Sequence, residues 1–336
     1  MQNFSLIKQF KKFINYFLGP VLFVWLSISI YRHILHQPNW QQTWNNILSS
    51  IYGEQAWKVI TVMLLMLFNW GIEALKWKVL IRHIQDVSFI KAFKAILAGV
   101  SLAMNTPNRI VEYLGRIIYI EEGNRIRAIA LTIIGSISQL IITVLFGCFA
   151  MLFFRYNIEQ RPDLNAGLSL IWINTIIYGS FITAVVLLLL YFRISWLTRL
   201  VEKIPFVSKY TYFIQKLEEF DWEELLKVLM LSLLRYSIFI VQYVLLLQVF
   251  NVHLTLVQSI WLTMVMFLAL AVVPTIALAE LGLRGQLSIH LFGLFSNNTL
   301  GIVLTATGIW LINLVVPALA GSLFILGIKL FRSKAA

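Results

Sequence analysis

Long runs of apolar residues are the feature that most restricts what this chain can fold into. Five of them, at residues 59–80, 128–154, 168–192, 225–250 and 300–330, reach or exceed the roughly 20 residues that a helix needs to cross a bilayer. Another apolar run occupies residues 13–31. Only 12% of the 336 residues are charged, against roughly 25% in soluble domains. The sequence therefore predicts an all-α polytopic membrane protein, folded as one integral membrane domain over residues 1–336.

The distribution of Lys and Arg predicts the orientation, because positive charge concentrates in the cytoplasmic segments of membrane proteins. Positive residues cluster at the amino terminus, at the end of the 59–80 run (Lys76, Lys78 and Arg82), in residues 193–222 and at the carboxyl terminus. Residues 155–167 and 251–258 have few. We expect both termini in the cytoplasm. Residues 193–222 are then a cytoplasmic amphipathic connector between halves at about 57–192 and 223–331.

Two short charged segments interrupt the apolar stretches in a repeated pattern. Each has a proline followed by a Glu and an Arg four residues apart, namely Pro107, Glu112 and Arg116 in the first and Pro274, Glu280 and Arg284 in the second. The two Glu residues and the two Arg residues are both separated by 168 positions. Charged, proline-interrupted segments at corresponding places of two halves are typical of transport sites. The pattern predicts an inverted repeat with about six full spans plus two re-entrant hairpins, which hydropathy counts as eight apolar segments.

The residue types in these segments favour recognition of an anion. Arginine presents a fixed fork that pairs bidentately with phosphate, and it stays charged in an apolar site. Arg109 and Arg116 are seven residues apart, so a helix over residues 110–120 would place them on one face, with Glu112 nearby on that stripe. Arg109, Glu112, Arg116, Glu280 and Arg284 are therefore the predicted substrate-binding residues. The alternative is that they only form internal salt bridges or lie at the water interface.

Three further polar residues in the apolar runs are secondary candidates. Glu73 and Arg235 each lie in the run that precedes a charged segment. A Glu73–Arg235 pair across the bundle is one interpretation, and side chains that reach toward the cytoplasmic interface are the other. Gln139 suits a hydrogen bond between helices as well as a ligand contact.

Several signals of other functions are missing from the sequence. It has no glycine-rich phosphate loop, and its five histidines have no partners at metal-ligand spacing. We therefore predict no cofactor, no metal and no catalytic residue. The net charge of +12 is spread over the inner loops, which disfavours binding of nucleic acid and leaves membrane lipids as the expected partners.

The segment from Asn105 to Arg116, the Glu122-Gly-Asn sequence and the Pro274, Glu280 and Arg284 set together resemble the flippase-like transmembrane family of lysylphosphatidylglycerol synthases. The resemblance covers residues from about 58 to 331. It implies a multi-pass protein of the bacterial plasma membrane that moves a charged lipid between leaflets. The chain departs from the family at Val111, where a glycine is expected, and at Ala277-Leu-Ala, which is glycine-rich in many relatives.

The chain ends at Ala336 without a cytosolic aminoacyltransferase domain, so the resemblance does not imply that it aminoacylates lipids. A separate lipid-modifying enzyme is a candidate partner, and a homo-oligomer is left open.

Two functions follow from these observations. The first is a lipid transporter that handles an anionic or aminoacylated head group, with Arg116 on the inner side and Arg284 on the outer side as two half-sites. The second is a membrane glycosyl- or phospho-transferase acting on a polyprenyl carrier. Such an enzyme needs acidic metal ligands in a solvent-facing loop, and the outer loops hold only Glu54, Glu159 and Asp163. The sequence therefore favours transport.

Overall fold

The computed structural model describes residues 52–103, 110–160, 169–193, 221–273 and 277–332, with a few isolated positions before residue 52. In these residues the chain forms α-helices and no strand. The helices of the first half are α1 (Ala56–Ile81), α2 (Phe89–Ala103), α3 (Ile110–Ile117), α4 (Arg125–Gln160) and α5 (Leu170–Phe192). Those of the second half are α6 (Trp222–Val249), α7 (Leu256–Val272), α8 (Ala277–Phe292), α9 (Thr299–Trp310) and α10 (Val316–Arg332), with a π turn at Leu311–Val315.

Five helical stretches of the described chain are long and apolar enough to cross a membrane. They are Ala56–Ile81, Glu122–Gln160, Leu170–Phe192, Trp222–Val249 and Thr299–Ile325. Each coincides with one of the five long apolar runs, so the prediction of an all-α polytopic membrane protein is confirmed. The predicted span at residues 13–31 and the connector at 193–222 lie almost wholly outside the described residues, and the total of six spans stays a prediction.

Two pairs of shorter helices stand where the hairpins were predicted. Helix α2 has 15 residues and α3 has 8, so at about 1.5 Å per residue neither reaches across about 30 Å of hydrocarbon. Helices α7 and α8 have 17 and 16 residues. The breaks that contain Pro107 and Pro274 lie outside the described residues. These lengths suit re-entrant hairpins, and the entry of both arms from one membrane face stays a prediction.

Helices α1 and α6 pack against each other, α2 packs against α10, and α7 packs against α4. Buried polar side chains join α1 to α6 and to α4. The Gln242 Nε2 atom donates to the Val62 carbonyl at 2.9 Å, and the Trp77 Nε1 atom donates to Thr132 Oγ1 at 3.0 Å. Such bonds matter in a membrane because the surrounding lipid is itself apolar, so the hydrophobic effect contributes little to helix association.

Glycines bring α2 and α3 into backbone contact. A Cβ atom on Gly115 would lie 2.5 Å from the Gly99 Cα atom, and a Cβ on Gly99 would lie 2.7 Å from the Glu112 carbonyl oxygen. Two helices can approach this closely only where both carry small residues. This close contact fixes the position of α3 along α2, and with it the positions of Glu112 and Arg116.

We expect Gly115→Ala to lower the thermal unfolding midpoint of the purified protein in detergent. The added methyl group has to push the two backbones apart, which typically destabilises a packed core by about 1–3 kcal/mol. Gly179→Ala in α5 is the matched control, because no atom lies within 4 Å of the added Cβ there. Equal midpoints for Gly115→Ala and the unmodified protein would show that α2 and α3 do not pack at this distance.

Candidate functional site

A cavity of about 520 Å³ opens between the helices of the two halves. It lies between the middle parts of α1, α4 and α6, the end of α7, the start of α8 and the π turn. Its charged lining residues are Arg235, Glu280 and Arg284, and its apolar lining includes Phe239, Phe267 and Leu270. A concave, largely apolar site with a few charged groups is the usual form of a ligand-binding site.

Arg235 on α6 is held in a fixed position at this cavity. Its guanidinium lies over the Trp70 ring at 5.1 Å and over the Phe239 ring at 5.4 Å. Its Nε atom donates to the Asn69 side chain at 2.9 Å, and a terminal nitrogen donates to Glu73 at 3.0 Å. Aromatic faces attract a cation, and the two hydrogen bonds fix the plane of the fork.

Glu73 is the centre of a buried ionic network. Only 5% of the residue is exposed, and its carboxylate contacts three cations. The distances are 2.8 Å to Lys76, 3.1 Å to Arg116 and 3.0 Å to Arg235. These cations lie on α1, α3 and α6, so one carboxylate joins α3 to both α1 and α6. A buried carboxylate is tolerated when it is paired and hydrogen-bonded in this way.

Arg116 contacts two carboxylates, Glu73 on α1 and Glu112 one turn earlier on α3. It is 5% exposed. Arg116 does not line the cavity. It is connected to the lining residue Arg235 through Glu73, which contacts both side chains. The charged segment of the second half differs, because both Glu280 and Arg284 line the cavity and pair with each other at 2.7 Å.

Unpaired polar atoms are concentrated around this cavity. Among the described residues, ten buried side-chain nitrogen or oxygen atoms have no hydrogen-bond partner in the protein. Five of these atoms belong to residues that line the cavity, namely Trp70 Nε1, Gln139 Oε1, Tyr236 Oη, Arg284 Nε and Trp310 Nε1. Because buried polar groups in native proteins are nearly always hydrogen-bonded, this concentration points to a polar ligand or water at the site.

The π turn at Leu311–Val315 contributes Asn313 and Leu314 to the cavity lining, next to α1. It places Asn313 so that its Oδ1 atom accepts a bond from Asn69 at 3.4 Å. Asn69 thereby contacts both the π turn and Arg235. Short π segments inside long helices occur frequently at functional sites, because the extra residue redirects the neighbouring side chains.

The predicted residues fall into three groups in the structure. Arg235, Gln139, Glu280 and Arg284 line the cavity, while Glu73, Glu112 and Arg116 form the network behind it. Arg109 lies outside the described residues. The Glu73–Arg235 pair exists, so these two side chains do not simply reach for the cytoplasmic interface.

The prediction that Lys76 emerges in the cytoplasm was wrong. The residue is only 2% exposed, and its ammonium bonds Glu73 at 2.8 Å and the Gly135 carbonyl at 3.1 Å. The sequence held a signal for this, since Glu73 and Lys76 are three residues apart on one helical face. Trp70, Tyr236, Trp310 and Asn313 were missed as cavity residues, because aromatic and amide side chains in apolar runs usually serve packing.

The apolar helices and the buried charged cavity define a polytopic membrane protein with a polar site inside its helix bundle. Comparison with known families is consistent with this class. Residues 13–321 match the profile of the lysylphosphatidylglycerol synthase TM region, and the chain belongs to that family. No curated protein and no solved structure gave a significant match.

We expect Glu73→Gln to lower the thermal unfolding midpoint strongly, because Lys76, Arg116 and Arg235 each lose an ionic contact with the Glu73 carboxylate. Removal of one partner from a buried ion pair typically costs about 3–5 kcal/mol. The double change Glu73→Gln with Lys76→Met removes one of the excess cations and should recover part of the loss. Both midpoints are measured by scanning fluorimetry in detergent.

Glu159→Gln is the control for that experiment. It breaks the Arg155–Glu159 ion pair, whose side chains are about two-fifths exposed at the end of α4. Exposed pairs contribute about 0–1 kcal/mol, so the midpoint should hardly change. A Glu73→Gln protein as stable as the Glu159→Gln protein would refute the central role of Glu73.

Proposed function

We propose that this protein is a flippase-like lipid transporter of the bacterial plasma membrane, with both termini in the cytoplasm. The observation that supports this most directly is the cavity of about 520 Å³ inside the apolar bundle, lined by Arg235 and Arg284. Intramembrane ionisable residues mark substrate pathways in membrane proteins. A lipid head group needs such a polar compartment to cross the hydrocarbon, while its acyl chains stay in the surrounding lipid.

The arrangement of the arginines suits a phosphate group. A guanidinium donates two parallel hydrogen bonds to a phosphate, and these bonds are stronger in a site of low polarity. Arg235 and Arg284 come from different helices and line the same cavity, so a phosphate between them can be bound from two directions. The unpartnered Arg284 Nε atom is one donor that such a ligand can satisfy.

The reciprocal packing of the two halves supports the proposed inverted repeat. Equivalent helices α1 and α6 pack on each other, α2 of the first hairpin packs on α10 of the second half, and α7 of the second hairpin packs on α4 of the first half. Two units related by a pseudo-two-fold axis produce such exchanged contacts. In transporters, substrate sites lie where the repeats meet, near the bilayer midplane.

We infer that Glu280 acts as a counter-ion for Arg284 while the site is empty. A phosphate that approaches Arg284 competes with the Glu280 carboxylate, and the carboxylate pairs with the arginine again once the head group leaves. Arg284 is then never a buried cation without a partner, which would be costly in the bundle. The first hairpin has the same Glu and Arg spacing at Glu112 and Arg116, where Glu73 gives a second carboxylate.

Arg284→Ala and Arg235→Ala should each abolish exchange of labelled anionic lipid between the leaflets of proteoliposomes. Each loses a charge-assisted contact worth about 1.5–3 kcal/mol. Arg284→Lys should restore the activity only in part, because an ammonium cannot reproduce the planar fork. Arg155→Ala is the matched control, since Arg155 also pairs with a Glu four residues away but lies exposed at a helix end.

The same assay tests the alternative of a membrane transferase. Liposomes supplied with a divalent metal and a sugar-nucleotide donor are examined for a modified lipid by mass spectrometry. Leaflet exchange that needs neither addition and is lost in both arginine variants supports transport. A modified lipid without leaflet exchange supports a glycosyl- or phospho-transferase, and wild-type exchange in both arginine variants places the lipid pathway elsewhere.

Glu280→Gln should bind anionic lipid at least as tightly as the unmodified protein and release it more slowly, so that leaflet exchange slows. The neutral amide no longer competes with phosphate for Arg284. Release is followed by stopped-flow fluorescence of a labelled lipid, with Glu159→Gln as control. Weaker binding with unchanged release would mean that Glu280 contacts the head group itself, and the counter-ion role would be wrong.

A further inference from the structure

The charged groups in and behind the cavity leave a net positive charge among the described residues. Lys76, Arg116, Arg235 and Arg284 supply four cations, whereas Glu73, Glu112 and Glu280 supply three carboxylates. With all seven groups ionised, they are one negative charge short of neutrality. A net charge inside an apolar bundle is unfavourable, and a bound anion removes it.

The acidic groups near the cavity are already used by the protein. Of the described residues that line it, only Glu280 is acidic, and it pairs with Arg284 at 2.7 Å. Glu73 behind the cavity contacts three cations. An incoming ammonium group would have to displace an arginine or lysine from one of these carboxylates.

The aromatic faces near the charged groups are also in use. Trp70 and Phe239 present their rings to Arg235, at 5.1 Å and 5.4 Å. Aromatic faces are the other common binding site for ammonium groups in proteins. Their contact with Arg235 leaves these two rings unavailable to a choline, ethanolamine or lysyl group. Tyr236, Phe267 and Trp310 complete the aromatic lining among the described residues.

Most of the unpaired polar groups of the lining are donors. Trp70 Nε1, Trp310 Nε1 and Arg284 Nε can only donate, and the Tyr236 hydroxyl can do both. A phosphodiester has only acceptor oxygens and matches such a set, whereas an ammonium has only donors and does not. Hydroxyl groups of a head group can bond the Gln139 Oε1 atom, which also has no partner.

We propose that this cavity selects an anionic phosphodiester head group that carries hydroxyls and no ammonium group, as in phosphatidylglycerol, and discriminates against zwitterionic and aminoacylated lipids. This inference rests on the proposed lipid-transport function and narrows its substrate class. A lysyl phosphodiester lipid carries a net charge of about +1 at neutral pH, given lysine and α-amino pKa values of about 10.4 and 8. It would add to the excess positive charge of the site.

The test is a binding measurement that does not depend on transport. Purified protein is titrated by native mass spectrometry with phosphatidylglycerol, phosphatidylethanolamine and lysyl-phosphatidylglycerol, all with the same acyl chains. Glycerol phosphate and inorganic phosphate are titrated in parallel, because the same arginines could serve a soluble phosphate. We expect phosphatidylglycerol to bind at least about tenfold more tightly than every other probe, as one charge-assisted hydrogen bond allows.

Two Tyr→Phe changes make the test specific to the cavity. Tyr236 is buried with a hydroxyl that has no partner, so Tyr236→Phe should leave the unfolding midpoint of the lipid-free protein unchanged or higher. The same change should weaken phosphatidylglycerol binding by about threefold to tenfold if the hydroxyl bonds the lipid. Tyr191→Phe should lower the unfolding midpoint, because the Tyr191 hydroxyl donates to the Leu225 carbonyl at 2.9 Å. It should leave phosphatidylglycerol binding unchanged, because Tyr191 lies outside the cavity lining.

Each outcome has a defined meaning. If lysyl-phosphatidylglycerol binds as tightly as phosphatidylglycerol or more tightly, the proposed selectivity is wrong. Leaflet exchange of lysyl-phosphatidylglycerol in proteoliposomes would then still support the proposed transport function. Equal binding of a free phosphate overturns assignment of the site to a lipid head group. Phosphatidylglycerol affinity that Tyr236→Phe and Arg284→Lys leave unchanged places the bound lipid outside the cavity. Selective binding without leaflet exchange supports the head-group assignment and counts against transport.

Discussion

A charge inside an apolar helix bundle has to meet an opposite charge, and the centre of this protein is organised by that requirement. The Glu73 carboxylate contacts Lys76, Arg116 and Arg235, which lie on α1, α3 and α6. Such a network stabilises the fold weakly in comparison with apolar packing of the same volume, because desolvation offsets the attraction. Its larger effect is to fix how the three elements align, since every misaligned arrangement leaves a charge unpaired.

The cavity follows from this alignment. Arg235 is held by Glu73, by Asn69 and by two aromatic rings, so its position is set before any ligand arrives. Arg284 on α8 lines the same cavity, while Arg116, its counterpart in the sequence repeat, lies in the network behind. The two halves thus use similar segments differently. One segment contributes lining residues directly, and the other sets the position of a lining residue through Glu73.

Much of the fold could be predicted from the sequence, and part of the site could. The five long apolar runs coincide with five helical stretches, because hydrocarbon burial and intrahelical hydrogen bonds act locally along the chain. The pairs Glu112–Arg116 and Glu280–Arg284 could be anticipated, since residues four apart share a helical face. The burial of Lys76 was missed, although its spacing of three residues from Glu73 indicated a pair, because the count of positive charges treats every lysine near a span end as exposed.

The sequence by itself determined that this is a polytopic α-helical membrane protein, and it marked the charged residues as unusual for an apolar environment. Only the tertiary structure decided which of those charges meet. Glu73 and Arg116 are 43 residues apart in the chain, and Glu73 and Arg235 are 162 apart. Their contacts depend on how each helix is rotated about its axis and shifted along it relative to its neighbours. Hydropathy and spacing describe one helix at a time, and the cavity exists only between helices.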